Sequence, residues 1–360
     1  MIKSAYIHIP FCNNICFYCA FCKMLKNDAF VDKYLNSLET EIKKNYKGDT
    51  LDTLYIGGGT PTSLNEKELT KLFSILKIFK LNEEYEYTFE ANILDINEKL
   101  LSILKNNRVN RLSIGIESFD ENNQKLLNRK VSYEEAKSKI DLCKKYFNNI
   151  NVDLIYAIPN ESIKTLKSDL DKIISLNVNH ISTYSLMIEP NTVLSINGTL
   201  PISDSLDKKM YDVICGALKK EGYIHYEISN FAKEGFYSKH NSAYWLNDNY
   251  YGFGLGASGY IDNLRYTNTK NLSLYLKGNY ISQKEILTKD DEITYALILG
   301  FRFIKGIDIE KFKKRYNVDL LTNEKVKKLL RNKKLVLNNG SISINKKYIY
   351  VENEVLIEFI

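Results

Sequence analysis

No stretch of this chain approaches the roughly 18–20 consecutive apolar residues that a membrane helix needs. The opening run, Met1-Ile-Lys-Ser-Ala-Tyr-Ile-His-Ile-Pro10, is too short and too soon interrupted for a secretory signal. A cytoplasmic protein is therefore expected. The formal net charge is +6, yet the lysines are scattered and locally balanced, as in Glu41-Ile-Lys-Lys44. A nucleic-acid stripe would concentrate them on one segment, so no nucleic-acid partner is expected. Internal repeats of solenoid period are missing. Cysteine is scarce, six in 360 residues, and four of the six are Cys12, Cys16, Cys19 and Cys22, while Cys143 and Cys215 stand alone. A disulfide framework would spread its cysteines and need an oxidising compartment. This clustering argues for metal instead.

What remains is an ordinary globular composition, 44% hydrophobic and 26% charged. It is long enough for one large α/β domain with a small appended one. Short apolar runs predict strands at 5–9, 51–56, 85–90, 111–115, 152–156 and 180–186. Between them, apolar residues recur at helical spacing, for example Phe30, Tyr34, Leu38 and Ile42, then Leu69, Leu72, Phe73 and Leu76. Six βα units in a row predict a parallel sheet, a partial (β/α)6 TIM-like barrel. In such folds chemistry gathers at the C-terminal ends of the strands. The cysteines follow the first predicted strand, Gly57-Gly58-Gly59 the second, and Glu90 ends the third. Residues 1–205 are read as the barrel. Residues 206–285 are read as an extension with a Tyr- and Gly-rich stretch, and 263–285 as a polar connection. Residues 286–360 are read as a small, mainly helical, winged-helix-like domain ending in a hairpin with Asn338-Asn339-Gly340 as its turn.

The cluster reads Cys12-Asn-Asn-Ile-Cys16-Phe-Tyr-Cys19-Ala-Phe-Cys22. Thiolates suit zinc or iron–sulfur clusters. Structural zinc usually takes two separated ligand pairs. Three cysteines at spacings of four and three instead fit one face of a cubane cluster. A single-loop zinc site or bare thiols stay open on spacing alone.

Tyr6-Ile-His-Ile-Pro-Phe-Cys12-x3-Cys16-x-Tyr18-Cys19 resembles the signature of radical S-adenosylmethionine (SAM) proteins, in the form used by the branch that holds coproporphyrinogen dehydrogenases and HemW. The resemblance implies that Cys12, Cys16 and Cys19 ligate a [4Fe-4S] cluster whose fourth iron is chelated by SAM, and that SAM is cleaved to a 5′-deoxyadenosyl radical. Tyr6 and Tyr18 fall within the signature. Further motifs keep the branch's order through residue 190. Gly58, Gly59 and Thr60 match the SAM methionine cradle, and the run is no P-loop because no Gly-Lys-Ser/Thr follows. Thr88-Phe-Glu-Ala-Asn92 resembles Glu-Ala-Asn-Pro, with Ile93 for proline, and makes Glu90 a SAM contact. Arg111-Leu-Ser-Ile-Gly-Ile-Glu-Ser-Phe119 resembles Gly-x-Gln-Ser-Phe with Glu117 for glutamine; glutamate accepts a hydrogen bond but cannot donate one. Arg129 matches the partner of the SAM carboxylate, and Asp153, in Asp153-Leu-Ile-Tyr-Ala-Ile-Pro159, the residue that holds ribose hydroxyls. Cys22 departs from the branch pattern and reads as a spare thiol, with cluster transfer or alternative ligation as the other reading.

Farther on, His240-Asn-Ser-Ala-Tyr-Trp245 resembles the His-Asn-x-x-Tyr-Trp motif associated with heme in HemW proteins. It implies His240, Asn241, Tyr244 and Trp245 as heme-associated residues. Gly254-x-Gly256-x-x-Gly259 matches a dinucleotide fingerprint as text but lies outside any βαβ unit and opens no helix. The resemblance implies heme binding and transfer to an acceptor protein (a respiratory one among the options), with an electron donor such as flavodoxin or ferredoxin, and a homodimer as one assembly. The alternatives are an oxygen-independent coproporphyrinogen III dehydrogenase and a radical SAM tetrapyrrole methyltransferase. The short lead before Cys12 and the His-Asn-x-x-Tyr-Trp block favour the heme chaperone.

Overall fold

The structure is a computed structural model that describes residues 1–360. Six parallel strands carry the fold: β1 Ser4–Ile9, β2 Thr50–Gly58, β3 Lys80–Asn92, β4 Arg111–Glu117, β5 Ile150–Tyr156 and β6 His180–Ser185. They pair in sequence order, each with the next. Helices cross over between them, so the expected (β/α)6 partial barrel is present.

Side-chain alternation decides what each face does. Ala5, Ile7 and Ile9, Leu54 and Ile56, Leu112, Ile114 and Ile116, and Val152 and Leu154 are all buried in one apolar core. The helix Asp28–Asn45 lays Val31, Tyr34, Leu35, Leu38 and Ile42 onto that core. Each such fully buried side chain contributes about 1.5–3 kcal/mol. The intervening strand positions, among them Tyr55, Arg111, Ser113, Asn151, Asp153 and Ser182, are polar or aromatic and line a cavity. The chain thus builds a barrel whose outer layer is oil and whose lumen is polar.

The sheet does not stop at six strands. A seventh parallel strand, Tyr250–Phe253, pairs with the free edge of β1. Three antiparallel strands, Ser258–Ile261, Leu264–Asn268 and Ile281–Ile286, continue from it, and Asn230–Ala232 with Ile224–Glu227 extend the β6 edge, giving twelve strands in all. This corrects the reading of 263–285 as a connection. Every residue of Ile281–Ile286 is exposed. An outermost edge strand needs no apolar face, so its polar composition looks like a linker.

The C-terminal module has its own core of fifteen buried residues, including Phe301, Phe312, Leu329 and Phe359. Its order is helix Lys289–Gly300, strand Ile307–Asp308, helices Ile309–Tyr316 and Glu324–Arg331, then strands Leu335–Asn338 and Ser341–Ile344. That is the order of a winged helix, as expected. Asn339 and Gly340 both adopt positive φ, 46° and 77°, which a tight two-residue hairpin turn requires. The chain does not end at the hairpin; Glu352–Leu356 and Ile357–Phe359 are helical and return Val355, Leu356 and Phe359 to the core. No helix is long and apolar enough to cross a membrane.

Candidate functional site

Cys12 ends a two-residue strand, Phe11–Cys12, that pairs in parallel with Met24–Leu25. This clasp closes the neck of the cysteine loop. The loop stands over the C-terminal ends of the strands and roofs a cavity of about 490 Å³. Cys12, Cys16 and Cys19 all face this cavity. Cys22 does not: its side chain packs on Gly256, and its carbonyl meets His8 Nε2 at 2.7 Å. A Cβ on Gly59 would lie 2.9 Å from Cys12 Sγ, so glycine there is what lets the β2 terminus approach the sulfur. Thr60 Oγ1 donates to Cys12 Sγ at 3.5 Å, and Arg129 Nη1 to Cys16 Sγ at 3.8 Å. Burial pushes the Cys12 thiol up to about 11, so its thiolate needs a positive charge close by.

Nowhere do three ligand side chains converge on a point that one metal ion could occupy. Three thiols around one cavity wall fit a polynuclear cluster that leaves room for a further ligand.

Around the cluster wall stand the other residues singled out from sequence. Tyr18, Gly58, Gly59, Thr60, Glu90, Glu117, Arg129 and Asp153 all line the cavity. Glu90 is fixed by the Tyr55 hydroxyl at 2.8 Å and by the Gly58 N–H at 3.0 Å. Burial, the largest cause, raises its carboxyl to about 7. Glu117 accepts from the Tyr18 hydroxyl at 3.0 Å and lies 3.7 Å from Arg129 Nη2; burial raises it too. Its φ of +75° is rare for a residue with a side chain, and the β4–β5 register shifts beside it. Asp153 Oδ1 accepts from Asn151 Nδ2 at 2.8 Å, and burial raises its carboxyl. Such buried acceptors fit the hydroxyls and ammonium of SAM, and Arg129 offers a fork for its carboxylate.

Tyr6 is the exception. It lies one layer below the lining, where its hydroxyl meets His8 Nδ1 at 3.0 Å. Tyr6 thus steadies His8, which in turn holds the Cys22 end of the loop. Sequence reasoning passed over Tyr55, Arg111 and Asn151, all of which reach the lumen. Their signal was present in strand alternation, with Arg111, Ser113 and Gly115 on one face and Asn151 and Asp153 on one face. Arg111 is 2% exposed, and its Nε has no partner. It is the counter-charge to Glu90 and Asp153 within the lumen.

The His-Asn-x-x-Tyr-Trp motif forms a short helix, Lys239–Trp245, that plugs the barrel at the N-terminal ends of its strands. His240 is 1% exposed, and both its ring nitrogens are engaged, Nδ1 with Thr53 Oγ1 at 2.7 Å and Nε2 with Tyr244 Oη at 2.8 Å. Its ring stacks on Tyr55 at 5.0 Å, and burial lowers its pKa to about 3. Asn241 reaches up into the cysteine-lined cavity. Trp245 turns the other way, onto a second cavity of about 620 Å³ shared with the C-terminal module. The four heme-associated residues therefore do not share one surface.

A cysteine-roofed cavity on a partial (β/α)6 barrel defines a radical SAM protein, and the profile of the radical SAM superfamily matches residues 6–173. The HemN C-terminal domain profile matches 287–348. The heme chaperone HemW of Lactococcus lactis subsp. lactis is 36% identical, with 99% of this chain and 97% of the relative covered. HemW of Bacillus subtilis is 37% identical over 89% and 88%, and that of Escherichia coli K12 34% over 82% and 81%. The chain belongs to the HemW family. Coproporphyrinogen III oxidase (HemN) from Escherichia coli, a radical SAM enzyme, shares the fold, with a TM-score of 0.86 at 23% identity over 99% and 90% of the two chains.

Proposed function

We propose that this protein is a heme chaperone of the HemW type, which binds heme and passes it to an acceptor protein. The observation that carries the reading is end-to-end likeness to heme chaperones. It spans the cysteine-lined cavity, the His240–Trp245 helix and the C-terminal module together. In this reading Cys12, Cys16 and Cys19 hold a [4Fe-4S] cluster. Gly58, Gly59, Thr60, Glu90, Glu117, Arg129 and Asp153 hold SAM, with Tyr18 orienting Glu117 and Tyr6 steadying the loop through His8. Cluster and SAM together supply one-electron reductive chemistry when bound. The chain's own contribution is a polar lumen, three carboxylate acceptors and one fork of donors on Arg129. Of the heme-associated residues, His240 and Tyr244 lock the helix into the barrel, Asn241 lines the cysteine-side cavity, and Trp245 is the member presented to the second cavity. The reading calls for an electron donor of the flavodoxin or ferredoxin kind, a heme-accepting protein and a cytoplasmic setting. A homodimer is the assembly to test.

Shared architecture with coproporphyrinogen III oxidase sets the competing reading, oxidative decarboxylation of propionates. Incubation of anaerobically reconstituted protein with coproporphyrinogen, SAM and a reductant separates the two. A chaperone leaves the substrate unchanged; stoichiometric conversion to protoporphyrinogen would sink the chaperone reading.

A further inference from the structure

The second cavity lies on the far side of the His240–Trp245 helix from the cysteines, between the barrel's extension and the C-terminal module. Its volume, about 620 Å³, is in the range that encloses a ligand of several hundred daltons, about 300–1,000 Å³. Trp245, Tyr226, Phe303, Ile304, Phe312 and Tyr316 make its wall. Trp245 is the only tryptophan in the chain, and its indole N–H is buried without a partner. Such a donor is costly unless something accepts from it.

Charge at the rim is net positive: Lys305, Lys311 and Arg315 stand against Asp308 alone. Asp308 caps the helix Ile309–Tyr316 by accepting from the Lys311 N–H at 2.9 Å. Arg315 is occupied by Asp248 at 2.7 Å and by the carbonyls of Leu246 and Asn247. Lys305 is exposed and has no ion-pair partner among the salt bridges of the chain, and Lys311, with 87% of its side chain exposed, has only Asp308 at 4.0 Å. An aromatic-lined cavity with the exposed ammonium groups of Lys305 and Lys311 at its rim complements a flat, largely apolar molecule with two anionic arms.

The cavity is also wired to the barrel lumen. Tyr226 Oη, on its wall, meets His180 Nε2 at 2.8 Å; His180 Nδ1 meets Asn151 Oδ1 at 2.6 Å; and Asn151 Nδ2 donates to Asp153 at 2.8 Å. One chain of buried polar groups thus runs from this wall to the SAM-side carboxylate.

We infer that this cavity is the heme-binding site: the macrocycle lies against Trp245, Phe303 and Phe312, with its two propionates on Lys305 and Lys311. The inference rests on the chaperone reading above and adds that the C-terminal module supplies half of the site, while His240 stands outside it. Heme is cargo here, held by stacking, apolar burial and charge.

The test is a titration of the full-length, anaerobically reconstituted protein with heme and with heme dimethyl ester, in the wild type and in the double variant Lys305→Glu/Lys311→Glu. Both lysines are exposed, so the variant keeps its melting temperature and its iron–sulfur absorption. The wild type prefers the free diacid over the diester, and the double variant loses that preference and binds heme about tenfold more weakly or worse. Quenching of Trp245 fluorescence follows each titration. Unchanged heme affinity in the variant, or an undiminished preference for the diacid, overturns this location while leaving the chaperone reading standing. A wild type with no saturable heme binding overturns the chaperone reading, and this inference with it.

Discussion

Residues at the cysteine loop divide into those that face the cavity and those that serve the loop itself. Cys16 faces it, with Arg129 on its sulfur. In the proposed assignment Cys16→Ala removes one of three ligands, and the variant reconstituted without oxygen is expected to lose the iron–sulfur absorption band. An undiminished band would refute the assignment. His240 shows the opposite behaviour. The motif that carries it was legible in the sequence, but its burial was not, because nothing in His-Asn-x-x-Tyr-Trp says which residue faces the barrel. Its folded pKa of about 3 lies below the value of about 6.5 for an unfolded histidine. The unfolded chain therefore takes up the proton first. The contribution of neutral His240 to stability is complete above pH 6.5 and is lost as pH falls toward 3. In His240→Gln that part of the acid loss should disappear, so melting curves of variant and wild type converge as pH drops. Parallel curves across that window would contradict the assignment.

At the scale of elements, the short helix Lys239–Trp245 deserves its stability to a strand of the barrel. Glu86 on β3 accepts the backbone N–H of His240 at 3.0 Å and of Lys239 at 2.9 Å. A carboxylate there meets both the orphan donors and the positive end of the helix. Glu86→Ala leaves two backbone donors unpaired, that of His240 buried and that of Lys239 partly so, and is expected to cost about 1–3 kcal/mol. It should also weaken heme binding through Trp245 while sparing the cluster. Calorimetry alongside the absorption band checks both halves. Elements with a strong period, the six strands and the helices between them, were readable because one face of each is buried oil. The edge strand Ile281–Ile286 was not, since it buries nothing. Eight of nine expected SAM contacts reach the cavity wall because strand alternation and motif order agree there. Tyr6 stops one layer short because its hydroxyl is taken by His8.

Across the whole molecule, the twelve-stranded sheet and the winged-helix module meet through specific contacts. Ile304 N–H reaches the Tyr226 carbonyl, Ile228 N–H the Arg302 carbonyl, and Arg302 lies over the Trp245 ring at 5.1 Å while pairing with Glu352 at 3.2 Å. No sequence motif announced this junction; it is made by tertiary contact alone. It places one cavity under the cysteines and another beside the only tryptophan. The most direct test of that account is an optical heme titration of the full-length protein with its cluster reconstituted. Saturable binding at a single heme per chain, with the cluster band intact and heme then lost to an added apo-acceptor, is the predicted result. An intact cluster with no saturable heme binding would contradict it.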